Sequence, residues 1–229
     1  MFNELLDFTN DTQYSIAILI AKTRYGNNHT GILTKINDEI FFYHLAWHLQ
    51  LDCNEWNEIL QNTDLPLKRW VKFTSLTSDP VVAEFRVPAI EKFLKLIYAK
   101  NQSKIPYSLK FKDTLFTNQG DLELGENENG LTCATFVASF FNSVAIELAD
   151  LNTWIDREPE DSNWKSFVIE MMNKTGVPYA HIAGVAKEEI NFRLKPEEIT
   201  VASSKIEEEL PANYNFCSVV GAEFNNIVA

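Results

Sequence analysis

The chain has 229 residues, 45% of them hydrophobic, and a formal net charge of −12. That length and apolar content support a globular core and argue against disorder. The negative charge excludes two broad classes: general nucleic-acid binding, which needs a basic footprint to displace counterions, and electrostatic attachment to an anionic membrane.

Three cysteines, Cys53, Cys133 and Cys217, are an odd number spread along the chain. They make no disulfide framework, and a reducing compartment is expected. Met1 to Asp11 carries Glu4, Asp7 and Asp11 and no basic residue, unlike a secretory leader. The apolar run Tyr14 to Ala21 is too short to span a bilayer, and Leu131 to Ala149 is interrupted by polar residues on several faces. A soluble, cytoplasmic protein without membrane insertion is expected.

In chain order, the isoleucine-rich run Tyr14–Ala21 reads as a strand covered on both faces. His29 to Ile36, the turn Asn37-Asp38-Glu39, and Ile40 to Trp47 read as a β-hairpin spanning about 29–48. Asp52 with Glu55 resembles a capping box for a short helix over Cys53–Gln61, and Arg69–Leu76 reads as a further strand. Val87-Pro88 is expected to open an amphipathic helix carrying Ile90, Phe93, Leu94, Ile97 and Tyr98. The acidic loop Asp121–Asn129 leads to Gly130 and the apolar run that starts at Cys133. Helices are expected from Asp161 or Ser162, over Val177–Ile190, and from Lys195-Pro196; the tail Lys205–Ala229 is poorly patterned. The expectation is one domain over 1–229, with a core at about 14–150 and helical additions at about 151–229.

Cys133 falls in the first turn of its helix, where unpaired N–H groups and the positive end of the helix dipole favour a thiolate. The carboxylates of the loop before it oppose that by raising a thiol pKa. Ala134, Phe136, Val137, Phe140 and Phe141 leave the helix no continuous polar face. Both a nucleophile and an inert core cysteine fit this position.

A thiol enzyme needs an imidazole to take the thiol proton and a third group to orient it. Three of the four histidines, His29, His44 and His48, lie in or next to the hairpin. With a two-residue turn at Asn37-Asp38, His29 lies opposite Ala46, and His44 and His48 are its diagonal neighbours. With a three-residue turn it faces Trp47 instead.

His29-Thr-Gly-Ile-Leu, then Phe41-Phe-Tyr-His44-Leu-Ala, and downstream Thr132-Cys133 opening a helix, together resemble the permuted NlpC-like branch of the papain-fold cysteine hydrolases. The nearest patterns are the lecithin retinol acyltransferase-like and bacterial permuted NlpC-like proteins. The resemblance covers about 14–50 and 128–148. It implies an α+β, circularly permuted papain-like fold, with a small antiparallel sheet packed on the cysteine-bearing helix and further helices around it. It also implies catalytic roles: Cys133 as nucleophile, His29 as base and His44 as orienter. The acyltransferase branch carries Asn-Cys-Glu-His at the nucleophile, where this chain has Thr132-Cys133-Ala134-Thr135. That departure points away from lipid acyl transfer.

The function so implied is a cysteine hydrolase of amidase or peptidase type, acting through an acyl-enzyme on a small-molecule or peptide amide or ester, with no cofactor and no metal. The alternatives are a catalytically inactive papain-fold binding module and a thiol acyltransferase. Tyr25 and Asn28 are candidates for a second oxyanion donor beside the Cys133 N–H. Cys53 is a rival nucleophile disfavoured by Asp52 and Glu55, and Cys217 reads as core. Zinc at His44 and His48 would suit a helix, but on a strand residues four apart lie about 13 Å apart. His181, Trp154 and Trp164 read as structural, and Glu207–Glu209 as a solvated face.

Overall fold

The computed structural model describes residues 1–11, 13–77, 79–190 and 192–227. In chain order its elements are β1 (Asn3–Glu4), a 3-10 helix at Leu5–Asn10, β2 (Tyr14–Lys22), β3 (Asn28–Ile36), β4 (Glu39–Trp47), β5 (Gln50–Glu55), α1 (Trp56–Gln61), β6 (Leu67–Lys72), α2 (Thr74–Thr77) and α3 (Pro80–Asn101). They continue with β7 (Leu115–Phe116), β8 (Leu122–Glu123), α4 (Cys133–Ser143), α5 (Glu160–Lys174), α6 (Tyr179–Lys187), α7 (Pro196–Ala202) and α8 (Tyr214–Ile227). Among these described residues no helix is long and apolar enough to cross a membrane.

The architecture is mixed α+β around a six-stranded antiparallel sheet in the order β1-β6-β2-β3-β4-β5, larger than the small sheet expected. β2 is buried from Ser15 to Ala21 because both of its faces are covered, which is why its sequence is continuous rather than alternating. Alternation then sorts its residues. Ile16 and Ile18, with Ile32, Tyr43 and Leu45 from neighbouring strands, face the main core, where α3, α4 and α7 pack. Ala17, Leu19, Ala21, Leu33 and Phe42 face a second, smaller core closed by Phe8, Ile59 and Trp70. Phe136, Phe140 and Phe141 bring α4 against the main face; each fully buried phenylalanine contributes about 1.5–3 kcal/mol.

The hairpin forms over the expected stretch. Ile36 pairs with Glu39 and Ile32 with Tyr43, so the turn is the two residues Asn37-Asp38, with Asn37 left-handed at φ 57°. The β3–β4 pairing ends at Ile32 and Tyr43, which leaves the start of β3 parted from β4.

Several boundaries differ from the expectation. Residues 50–55 are not the start of a helix but the edge strand β5, with Cys53 opposite Tyr43. The capping pair moves three residues on, to Glu55 and Glu58, and opens α1 at Trp56. The strand expected at 69–76 is β6, which ends at Lys72. α3 begins at Pro80, not at Val87-Pro88. Asp79 caps it by accepting from the Val81 N–H at 2.8 Å, and Pro88 lies inside the helix. α5 starts at Glu160 and leaves Asp161 buried in its first turn. The poorly patterned tail contains α8, whose Cys217, Gly221 and Phe224 form the buried face.

Candidate active site

The site forms where β3 and β4 part. His29 is the second residue of β3 and pairs with Ala21, which turns its side chain toward the smaller core. His44 on β4 stacks on Phe42, at 4.4 Å between ring centroids, on that same side. The two imidazoles meet, His29 Nε2 lying 2.8 Å from His44 Nδ1. Gly31 makes this possible: a Cβ there would lie 2.5 Å from the Tyr43 carbonyl oxygen and 2.6 Å from the His44 Cβ.

The chain of contacts continues to a residue that sequence reasoning missed. His44 Nε2 lies 2.8 Å from Asn54 Oδ1. Asn54 sits on β5 opposite Phe42, so it could be recognised only once 50–55 was read as a strand. The chemistry of the chain fixes its protons. The amide oxygen of Asn54 accepts only, so His44 carries its proton on Nε2 and presents a lone pair at Nδ1. His29 then donates from Nε2, and its own lone pair is left on Nδ1. Neutral His29 in that tautomer is a base. Burial, together with the neighbouring His44, holds its pKa well below the ordinary histidine value, and burial also lowers that of His44.

Cys133 is the first residue of α4 and is buried. Thr132 accepts from the Thr135 N–H, and the Thr135 hydroxyl accepts from the Thr132 N–H. Thr132 and Thr135, two of the three residues that depart from the acyltransferase signature, thus make a reciprocal cap that fixes the start of this helix. Gly130, at φ 150°, allows the preceding chain to lie against Pro106, and Leu131 donates to the Pro106 carbonyl at 2.9 Å. This brings Tyr107 alongside the helix start.

The thiol meets the hairpin through the backbone. The N–H groups of Thr30, Ala134 and Cys133 itself donate toward the sulfur and favour its thiolate, and the Arg193 guanidinium acts in the same direction. Thr30 follows His29 and lies beyond the last β3–β4 pair, so its amide is free to turn to the cysteine. Burial outweighs these influences and pushes the thiol up to about 11. Of the two opposing influences expected at this position, neither decides the outcome: burial keeps the resting thiol neutral. The acidic loop is engaged elsewhere. Glu128 accepts from the backbone of Lys112 at 3.1 Å, the backbone of Asp113 at 2.7 Å and the Thr114 hydroxyl at 2.6 Å.

Cys133, His29 and His44 line one cleft of about 600 Å³, together with Trp47, Tyr107 and Trp164. Tyr25 and Asn28, the candidates for the second oxyanion donor, lie on its rim but are held otherwise. The Asn28 amide donates to Glu197 at 2.8 Å and Asn225 at 3.1 Å, and the exposed Tyr25 hydroxyl accepts from Arg24 at 2.8 Å. The N–H of Ala134 lies in the first turn of α4 and is directed toward the Cys133 sulfur. His48 does not join His44: its Nδ1 accepts from the Tyr107 N–H at 3.2 Å, while His181 Nε2 donates to the Tyr107 carbonyl at 2.8 Å. Among the described residues no group of three or more His, Cys, Asp or Glu side chains could hold a metal ion. Trp164, expected only to anchor a helix, lines the cleft with the Arg193 guanidinium 4.3 Å from its ring centroid.

Helices from the second half support the start of β3. Thr200 on α7 lies 3.0 Å from the Thr30 hydroxyl, and Glu197 holds Asn28.

The fold and site define a mixed α+β protein whose buried cysteine and hydrogen-bonded histidine pair share a cleft. Comparison with family models, with curated proteins and with solved structures gives no match for this chain.

Proposed function

We propose that the protein is a cysteine hydrolase of amide or ester bonds, of the permuted NlpC-like, papain-fold type. The observation that carries this reading is the relay Asn54–His44–His29, which leaves a basic lone pair on His29 Nδ1 in the cleft that holds Cys133.

In the proposed reaction His29 Nδ1 takes the Cys133 thiol proton as the sulfur attacks the substrate carbonyl carbon. A sulfur–carbon bond forms, and the oxyanion is held by the N–H groups of Cys133 and Ala134. The carbon–nitrogen or carbon–oxygen bond then breaks, with the proton passing from His29 to the leaving group. Water attacks the thioester, giving a proton to His29, and the released thiol recovers it. The product is a carboxylic acid.

The deep burial of the thiol favours a second reading, a papain-like binding module without turnover. An activated ester such as p-nitrophenyl acetate separates the two. For a hydrolase, peptide mapping finds acetyl on Cys133, the adduct decays in water, and Cys133→Ala does not form it. Acetylation confined to lysines, with Cys133 unmodified, contradicts the hydrolase.

A further inference from the structure

The cleft holds a cation without a close acceptor. The Arg193 side chain is 19% exposed, and its guanidinium lies over the Trp164 ring. Its nearest carboxylate oxygens, on Glu160 and Asp161, are both 3.9 Å away, and among the described residues the guanidinium donates no hydrogen bond. Five N–H donors on a mostly buried group, with no acceptor at bonding distance among the described residues, are costly unless a ligand completes them.

The neighbouring cations are committed. Lys195 pairs with Glu160 at 2.6 Å, Arg24 with Asp64 at 2.9 Å, and Lys22 donates to Asn28 at 3.1 Å. Arg157 is bound to Glu198 and to the Arg193 carbonyl. Arg193 lines the same cleft as Cys133.

Building on the thiol-hydrolase reading above, we propose that Arg193 binds the carboxylate of a singly anionic amide or ester substrate whose apolar part packs on Trp47, Tyr107, Trp164 and Phe167. A planar guanidinium matches a carboxylate with two parallel hydrogen bonds. One free guanidinium balances one negative charge. The remaining carboxylates of the cleft, Asp52 and Glu197, oppose a multiply charged phosphate. N-acylated amino acids and short peptides ending in a free carboxylate near the scissile bond have this chemistry.

Alkylation of Cys133 by iodoacetate and by iodoacetamide, reagents that differ in charge at similar size, tests the proposal without a known substrate. The iodoacetate-to-iodoacetamide rate ratio at Cys133 is expected to exceed that of N-acetylcysteine by about tenfold, the effect of one charge-assisted pair. Arg193→Gln should bring the ratio to the free-thiol value, and Arg193→Lys should keep part of the excess. Phenylacetate should slow alkylation by iodoacetamide, while phenylacetamide at equal concentration should not. A wild-type ratio equal to that of N-acetylcysteine overturns the proposal while leaving the thiol enzyme standing, and this arm does not depend on the variants folding. Protection by inorganic phosphate as strong as that by phenylacetate overturns the choice of a carboxylate. If neither reagent reaches Cys133, the nucleophile reading fails and this proposal fails with it.

Discussion

Replacing His29 with alanine is expected to slow acylation of Cys133 at pH 7 by about a hundredfold or more, the usual contribution of a positioned general base. The reason is the state of the thiol. With burial holding it near 11, the spontaneous thiolate fraction at pH 7 is roughly one in ten thousand, so the sulfur depends on a base at the moment of attack. His29→Gln is the sharper variant, because its amide can still donate to His44 Nδ1 while lacking basicity; it should lose the rate with little loss of stability. The pH dependence follows from the depressed pKa of His29. A histidine whose folded pKa lies below the ordinary value of about 6.5 stays neutral, and hence basic, as the pH falls through 6.5. The wild type should therefore retain its advantage over His29→Gln below pH 6.5 and lose it only where His29 protonates. Equal acylation rates for wild type and His29→Gln at pH 7 would remove His29 from the mechanism.

Gly31→Ala is expected to damage both stability and the site. The added methyl would meet the Tyr43 carbonyl oxygen at 2.5 Å, the His44 Cβ at 2.6 Å and the Phe42 ring at 2.7 Å. The first two are fixed by the backbone and cannot swing away. Overpacking of this kind costs about 1–3 kcal/mol, which for a chain of this size lowers the melting midpoint by about 2–4 °C per kcal/mol. Relief requires β3 to move off β4, and that movement parts His29 from His44. Thermal denaturation and acylation should fall together. An unchanged midpoint with full acylation would show that the close approach at Gly31 is not needed.

The hairpin and the placement of Cys133 at a helix start were legible because each rests on local chemistry: apolar strand runs about turn residues at 37–39, and a glycine before an apolar run. The turn length stayed open between two and three residues, because the pairing that decides it leaves no local mark. β5 was not legible. Asp52 and Glu55 carry a local capping pattern, but pairing with β4 decides the conformation, and that long-range preference leaves little trace in a six-residue edge strand. Missing β5 hid Asn54 and so the end of the relay. α8 was obscured because Gly221, which reads as a helix breaker, is the small residue that lets the helix lie against Glu197, with 3.3 Å to the nearest atoms from a Cβ placed there. Arg193 gave no signal at all. It is one basic residue in an irregular stretch, and it is positioned by Asp161 and Trp164 of α5, more than twenty residues earlier in the chain.

The three thiols of the chain provide the most direct measurement. Burial pushes Cys53 and Cys133 to about 11 and Cys217 to about 12, so thiol acidity alone does not favour Cys133. Cys53 is also the more accessible, being half-buried where the other two are buried. Without a catalytic constellation, a neutral thiol reagent at pH 7 should modify Cys53 first. With His29 as its base, Cys133 should react first, at a rate well above that of Cys53, as read by peptide mapping of the folded protein over time. Modification of Cys53 ahead of an untouched Cys133 would contradict the assignment of Cys133 as the nucleophile.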